Sequence, residues 1–271
     1  MSFDFAISEN LLVALVAFAA AIVLGLGYLD WRIRREATLT RRELVRRTDS
    51  TYDQLAALQG LYLELGVDRA LPVSRGWAAS PDFLVRVRER VLRRRPRVAV
   101  ECGSGISTLV TALTLREVGG GHLWSLEHSP EHARATRAEL EKHGVADFVT
   151  VVDAPLEPHV IDGQPWTWYA TRGLPDRAID MLVIDGPPKR TGKLARWPAG
   201  PLLFPRLSPG AVVLLDDAAR PDEQEAVRRW RAAHPDLAHA DLWCEKGCVE
   251  LVKPGNPGGS TPSDRPSGDR A

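Results

Sequence analysis

Nineteen consecutive residues, Leu11 to Leu29 (LLVALVAFAAAIVLGLGYL), carry no charge, and no other stretch restricts the chain as strongly. Rising about 1.5 Å per residue as a helix, they reach about 28 Å, close to the hydrocarbon thickness of a bilayer. Asp4 and Glu9 precede the run, without any Lys or Arg. Between Arg32 and Arg47, seven arginines face only Glu36 and Glu43, a net of +5. A cleaved signal peptide carries its cations ahead of the apolar core and small residues behind it. Here the order is reversed. The positive-inside rule then places residues 1–10 outside and everything after Asp30 in the cytoplasm. The competing reading, a buried core helix, does not account for the flank asymmetry. A single-pass membrane protein with a cytoplasmic domain is expected.

The remainder reads as a folded domain. Hydrophobic residues make up 44% of the chain, which excludes wholesale disorder. Lys+Arg and Asp+Glu both total 35, and no basic patch is interleaved with aromatics. Nucleic acid is therefore excluded as a partner. Cys102, Cys244 and Cys248 are too few for a disulfide framework and lack the second ligand pair of a zinc site. A reducing compartment fits them. Residues 30–75 read as a basic, helical juxtamembrane linker. In it, Leu55, Leu58, Tyr62 and Leu65 form an apolar stripe, either packed on the chain's own domain or paired in a homodimer. Gly66 and Pro72 end the pattern, and Ser80-Pro81 opens a helix that reaches Arg95. The folded domain is expected over 76–253. From Pro254 the chain is almost all Pro, Gly, Ser, Asp and Arg, a disordered tail over 254–271.

Short apolar runs then alternate with helical patterns, which predicts an α/β, doubly wound, mostly parallel sheet. Strands are expected at Val98–Glu101, His122–Leu126, Phe148–Val152, Ile179–Ile184 and Ala211–Leu215. Helices are expected at Ile106–Glu117, Pro130–His143, Leu194–Leu207 and Pro221–His234. Ala240–Cys244 and Cys248–Val252 form a closing antiparallel hairpin that a plain dinucleotide-binding fold lacks. The first strand runs into E-C-G-S-G (Glu101–Gly105). Gly103 and Gly105 permit a tight turn at the carboxyl end of a central strand, where open α/β sheets bind ligands. A G-x-G-x-x-G fingerprint requires glycine at 108, where Thr108 stands. Glu101 beside the turn suits an ammonium group better than a pyrophosphate. Glu127 follows Gly105 by 22 residues, about the interval at which a carboxylate meets ribose hydroxyls. His128 then lies alongside an adenine, and Asp153 ends the third strand at the same edge.

The ordered series E-C-G-S-G, L-E-H, D-A, V-I-D-G-P-P and G-A-V-V-L-L-D-D resembles the motifs of class I S-adenosylmethionine-dependent methyltransferases, over roughly Gly76 to Lys253. The resemblance implies a seven-stranded sheet whose last strand is antiparallel. It also implies that Glu101 holds the methionine amino group and that Gly103, Ser104 and Gly105 wrap that moiety, with Ser107 in the turn that follows. Glu127 would take the ribose hydroxyls, and His128, Asp153 and Ala154 would frame the adenine. Asp185 and the pair Asp216-Asp217 end the fourth and fifth strands. This trio is similar to the metal ligands of catechol and caffeoyl-coenzyme A O-methyltransferases, and implies Mg²⁺ or Ca²⁺ on Asp185, Asp216 and Asp217. In those enzymes a general-base lysine lies three residues after the aspartate. Here Pro187-Pro188 intervene and Lys189 lies four after.

Trp166, Trp168, Tyr169 and Trp197, expected in loops on the same side, would be an acceptor wall or a packed lid. The leading expectation is a membrane-anchored methyltransferase acting on an oxygen of a small-molecule or lipid-linked acceptor. Two alternatives stand beside it: metal-independent N- or C-methylation with Asp185 or His128 as base, and a non-catalytic cofactor-binding membrane module.

Overall fold

The computed structural model describes residues 9–74 and 78–255. Most of the expected outer segment 1–10, Gly76 as the start of the domain, and nearly all of the tail 254–271 lie outside the described residues. The first helix, α1, runs from Glu9 to Leu65. The chain divides into two units, Met1–Asp53 and Gln54–Ala271. In the first unit every side chain from Leu11 to Leu29 is exposed. The run is long and apolar enough to cross a membrane. Beyond it the polar helix is laced by ion pairs one turn apart, Arg34 with Asp30 at 2.8 Å and Arg47 with Glu43 at 2.8 Å.

In the second unit, α2 (Pro81–Arg94), α3 (Ile106–Glu117), α4 (Pro130–Lys142), α5 (Ala199–Leu203) and α6 (Pro221–Ala233) accompany nine strands. These are β1 (Val98–Cys102), β2 (His122–Glu127), β3 (Val149–Asp153), β4 (Leu156–Ile161), β5 (Gln164–Tyr169), β6 (Ile179–Ile184), β7 (Leu207–Asp216), β8 (Ala238–Leu242) and β9 (Cys248–Val252). Seven of them form one sheet in the order β3-β2-β1-β6-β7-β9-β8, parallel except where β9 pairs with β7 and β8. This is the expected sheet with its closing hairpin. Alternation sends Ala99, Met181, Val183, Val212 and Leu214 to one face, under α2 and α3. Val100, Leu182, Ile184, Val213 and Leu215 go to the other, under α5, α6 and the β4–β5 hairpin.

Three expectations need correction. The stripe on α1 holds in part: Tyr62 and Leu65 pack against the core, but Leu55 is exposed and Gln54 and Leu61 are buried in its place. The polar residue enters because its Oε1 accepts from the Asp82 N–H, one of the donors that the start of α2 leaves without a helical partner. The helix expected over Leu194–Leu207 shrinks to α5 and a 3-10 turn, since Pro198, Pro201 and Pro205 interrupt it, and β7 begins earlier, at Leu207. The stretch after β3 is no loop but the two-stranded sheet β4–β5. Its turn, Asp162-Gly163, has φ of 53° and 72° at its two centres. That geometry is what an Asp-Gly pair favours in a two-residue hairpin.

Candidate active site

The sheet reverses its winding between β1 and β6, and the crevice outside their carboxyl ends holds the candidate site. Gly103 leaves β1 at φ 104°, a backbone conformation that residues with a Cβ rarely adopt, so the turn favours glycine. Ser125 Oγ donates to the Gly103 carbonyl at 2.7 Å and fixes the turn from β2.

Glu101 is 1% exposed. Its Oε2 accepts from Thr108 Oγ1 at 2.6 Å, whereas its Oε1 is buried without a partner. Burial pushes the carboxyl up to about 7, with the Ser107, Thr108 and Ser125 hydroxyls pulling the other way. Thr108, which breaks the dinucleotide fingerprint, is a strut: its Oγ1 also accepts from the Gly105 N–H at 3.0 Å. The sequence marks it only as a missing glycine.

Glu127 is 5% exposed, tied to hydroxyl and backbone donors, with His128 Nδ1 3.1 Å from its Oε1. Its Oε2 accepts from Ser104 N–H at 3.1 Å and Ser104 Oγ at 2.8 Å, and its Oε1 from Ser129 N–H at 2.8 Å. A carboxylate has about four acceptor positions, so with three taken one remains for a ligand hydroxyl. The His128 ring meets Tyr169 edge-on at 5.9 Å. Ala154 is buried, and its N–H donates to the Glu127 carbonyl at 2.7 Å. Asp153, opposite Glu127 in the register, is exposed and paired with Arg137 at 2.8 Å. Ser107 is buried in the first turn of α3. The cofactor set is thus brought together around one turn. Unpartnered Glu101 Oε1, the glycine turn and the spare capacity of Glu127 fit an amino-acid-bearing nucleoside.

Asp185, Asp216 and Asp217 are also brought together, with ligand oxygens within 4.8 Å of one another. Burial, then each other's charge, holds Asp216 well above the carboxylate range. Asp185 is pushed up to about 6, by burial first. Both oxygens of Asp216 are buried without a partner, as in a donor set awaiting a cation. Yet Arg196, 4% exposed, already stands there. Its Nη2 lies 3.1 Å from Asp185 Oδ1 and 2.8 Å from Asp217 Oδ2. Arg220 adds a second guanidinium, 2.8 Å from Asp217 Oδ2. With two of its three carboxylates paired in this way, the trio does not fit a divalent ion as it stands. Lys189 is exposed in a 3-10 turn. Arg196 went unnoticed in the sequence because it lies within a stretch read as plain helix.

The aromatic group packs on the domain. Trp168 and Tyr169 are buried, and Trp166 lies on Trp197 with ring centroids 4.2 Å apart. A Cβ at Gly186 would strike the Tyr169 hydroxyl and crowd the Cys102 carbonyl, which explains the glycine of V-I-D-G-P-P.

Residues 100–218 match the model of the Methyltransf_24 family, a methyltransferase domain. The fold is similar to an O-methyltransferase from Bacillus cereus in complex with SAH, with 20% identity and a TM-score of 0.51, covering 73% of this chain and 91% of that one. It is also similar to the cofactor-bound Rv0187 from MTB, with 22% identity and a TM-score of 0.50, covering 77% of this chain and 91% of that one. No curated protein matches the chain. Likeness at such identities establishes the fold alone. Residues 100–218 are thus similar to a methyltransferase domain, and the fold is a seven-stranded, mostly parallel α/β sheet closed by an antiparallel strand.

Proposed function

We propose that the protein is a membrane-anchored S-adenosylmethionine-dependent methyltransferase whose cytoplasmic domain methylates an oxygen of a small-molecule or lipid-linked acceptor. One observation carries the reading: the buried, unpartnered Oε1 of Glu101 stands beside a turn whose positive φ favours glycine, one strand away from Glu127. S-adenosylmethionine, when bound, supplies a methyl group already activated on a sulfonium. The chain then has to align the acceptor and keep water out. Glu101 takes the amino group, Gly103, Ser104 and Gly105 enclose the amino-acid part, and Glu127 takes the ribose hydroxyls. His128, Asp153 and Ala154 border the adenine, and Ser107 supports the turn from α3.

Asp185, at the end of β6, receives the proton that the acceptor hydroxyl gives up. A carboxyl pushed up to about 6 is ionised at neutral pH and basic enough for that step. Lys189 is the second group able to receive it, and Lys189→Gln with unchanged kcat assigns the step to Asp185. The choice of oxygen follows the likeness in fold to the O-methyltransferase from Bacillus cereus. The exposed apolar run and the arginines behind it support the anchor and a domain held at the membrane surface. Release of the full chain from membranes by alkaline carbonate would remove the anchor from the proposal.

Calorimetric titration of the detergent-solubilised chain with S-adenosylhomocysteine tests the cofactor. Micromolar binding is expected, and no binding at millimolar ligand overturns the reading. A second reading adds Mg²⁺ or Ca²⁺ on Asp185, Asp216 and Asp217, favoured by the two unpartnered oxygens of Asp216. Loss of methyl transfer in chelator, restored by added Mg²⁺, would select it.

A further inference from the structure

We infer that Arg196 is the resident cation of the acidic strand ends, a positioning residue that fixes Asp185 and Asp217 there without a divalent ion. The inference rests on the methyltransferase reading for the importance of this edge, though not for the geometry. A guanidinium presents five donors in a rigid fork, and this one spends them across both strand ends. Nη1 donates to the Asp216 carbonyl at 2.8 Å. Nη2 donates to the Asp185 carbonyl at 2.6 Å, to Asp185 Oδ1 at 3.1 Å and to Asp217 Oδ2 at 2.8 Å. Nε lies 3.8 Å from Glu223 Oε1 on α6. One side chain thus joins β6, β7 and the start of α6.

Its backbone is held from both sides. Leu194 N–H donates to Asp222 Oδ2 at 3.4 Å, and the Trp197 carbonyl accepts from Trp230 Nε1 at 2.9 Å. The Trp197 ring lies on Trp166. The guanidinium is therefore placed by packing on its own segment. Arginine does not lose its proton in proteins, so a divalent ion binding the same oxygens would face a full positive charge at close range. Arg196 takes Oδ1 of Asp185 and leaves Oδ2 for the acceptor. A metal gives such a carboxylate orientation and charge balance. Here both come from the chain.

Mn²⁺ is titrated into the detergent-solubilised full chain, with free Mn²⁺ read by electron paramagnetic resonance and S-adenosylhomocysteine binding measured on the same sample. The wild type is expected to take up no Mn²⁺ below the millimolar range. Arg196→Met should bind it at least about tenfold tighter, because Asp185 loses its guanidinium and joins the unpartnered Asp216 as an open ligand for an oxygen-seeking ion. Arg196→Lys, which restores the charge, should return to the wild-type affinity. A stoichiometric, micromolar Mn²⁺ site in the wild type that Asp216→Asn abolishes overturns the inference, and so does a folded Arg196→Met that gains no affinity. If Arg196→Met does not fold, the wild-type titration alone decides. Failure of the wild type to bind S-adenosylhomocysteine would overturn the methyltransferase reading, while the Mn²⁺ result still answers for Arg196.

Discussion

The carboxylates at the ends of β1 and β2 and those at the ends of β6 and β7 are all largely buried, Asp185 least so, and oppositely satisfied. Glu101 and Glu127 are met by hydroxyls and backbone N–H groups, and one Glu101 oxygen is met by nothing. Asp185 and Asp217 are met by guanidiniums. Neutral donors hold a carboxylate in place without cancelling its charge, so the first edge still attracts a cation. The second edge has been given its cation already. The contrast separates a surface prepared for a charged ligand from one prepared to be rigid.

The largest effect should come from breaking the second edge. Arg196→Ala leaves buried carboxylates uncompensated and should cost about 3–5 kcal/mol of stability, seen as a lower urea midpoint for the domain. A loss below about 1 kcal/mol would mean that water screens the cluster and that the two edges differ less than their hydrogen bonds suggest.

Next in size is the loss of charge at the first edge. Glu101→Gln keeps the shape and removes the attraction for an ammonium group. Cofactor affinity should fall by about 2 kcal/mol, roughly thirtyfold, in calorimetry. The same residue sets a pH dependence. Its folded value of about 7 lies above the ordinary 4.5, so the free protein holds a proton there that an ammonium ligand must expel. Affinity should therefore weaken as pH falls below 7, by up to about tenfold per unit, and the slope should vanish in Glu101→Gln. Stability runs the other way. Between 7 and 4.5 the folded state binds the proton and the unfolded state does not, so the fold gains stability as pH falls through that window.

The first edge was legible in the sequence because its chemistry is local. Glu101, Gly103 and Gly105 lie within one turn, and Glu127 follows after one helix and one strand, so spacing alone brings them together. The second edge was half legible. Asp185, Asp216 and Asp217 end apolar strands and could be read, whereas Arg196 reaches them only through tertiary packing of a segment that Pro198 and Pro201 keep from being helical. The β4–β5 hairpin is a different omission. Asp162-Gly163 announces its turn, but β4 carries Pro158 near its middle and β5 carries Pro165 as its second residue, and prolines argue against strands. Only the two-residue turn outweighs them. Part of the buried face of α1 escaped for a third reason: a buried residue there, Gln54, is polar, and its place is set by α2.

A smaller effect tests whether the first edge depends on its struts. Thr108→Val keeps the volume and removes the hydroxyl that bridges Gly105 N–H and Glu101 Oε2. Two buried groups lose a partner, so a stability loss of about 1–3 kcal/mol is expected, with cofactor affinity falling alongside as the turn loosens. Unchanged affinity with reduced stability would show that the turn is held by Ser125 and Glu127 alone.

The smallest effect is expected where the first edge meets solvent. Asp153 lies opposite Glu127 in the register, yet its side chain is 70% exposed and paired with Arg137. An exposed ion pair contributes about 0–1 kcal/mol, and any bond it makes to an adenine amino group competes with water. Asp153→Ala should therefore weaken S-adenosylhomocysteine binding by no more than about threefold, with stability nearly unchanged. A tenfold loss would mean that the ligand itself buries Asp153, closing the first edge over the adenine. The contrast would then lie in timing: one edge completed by its ligand, the other completed as the chain folds.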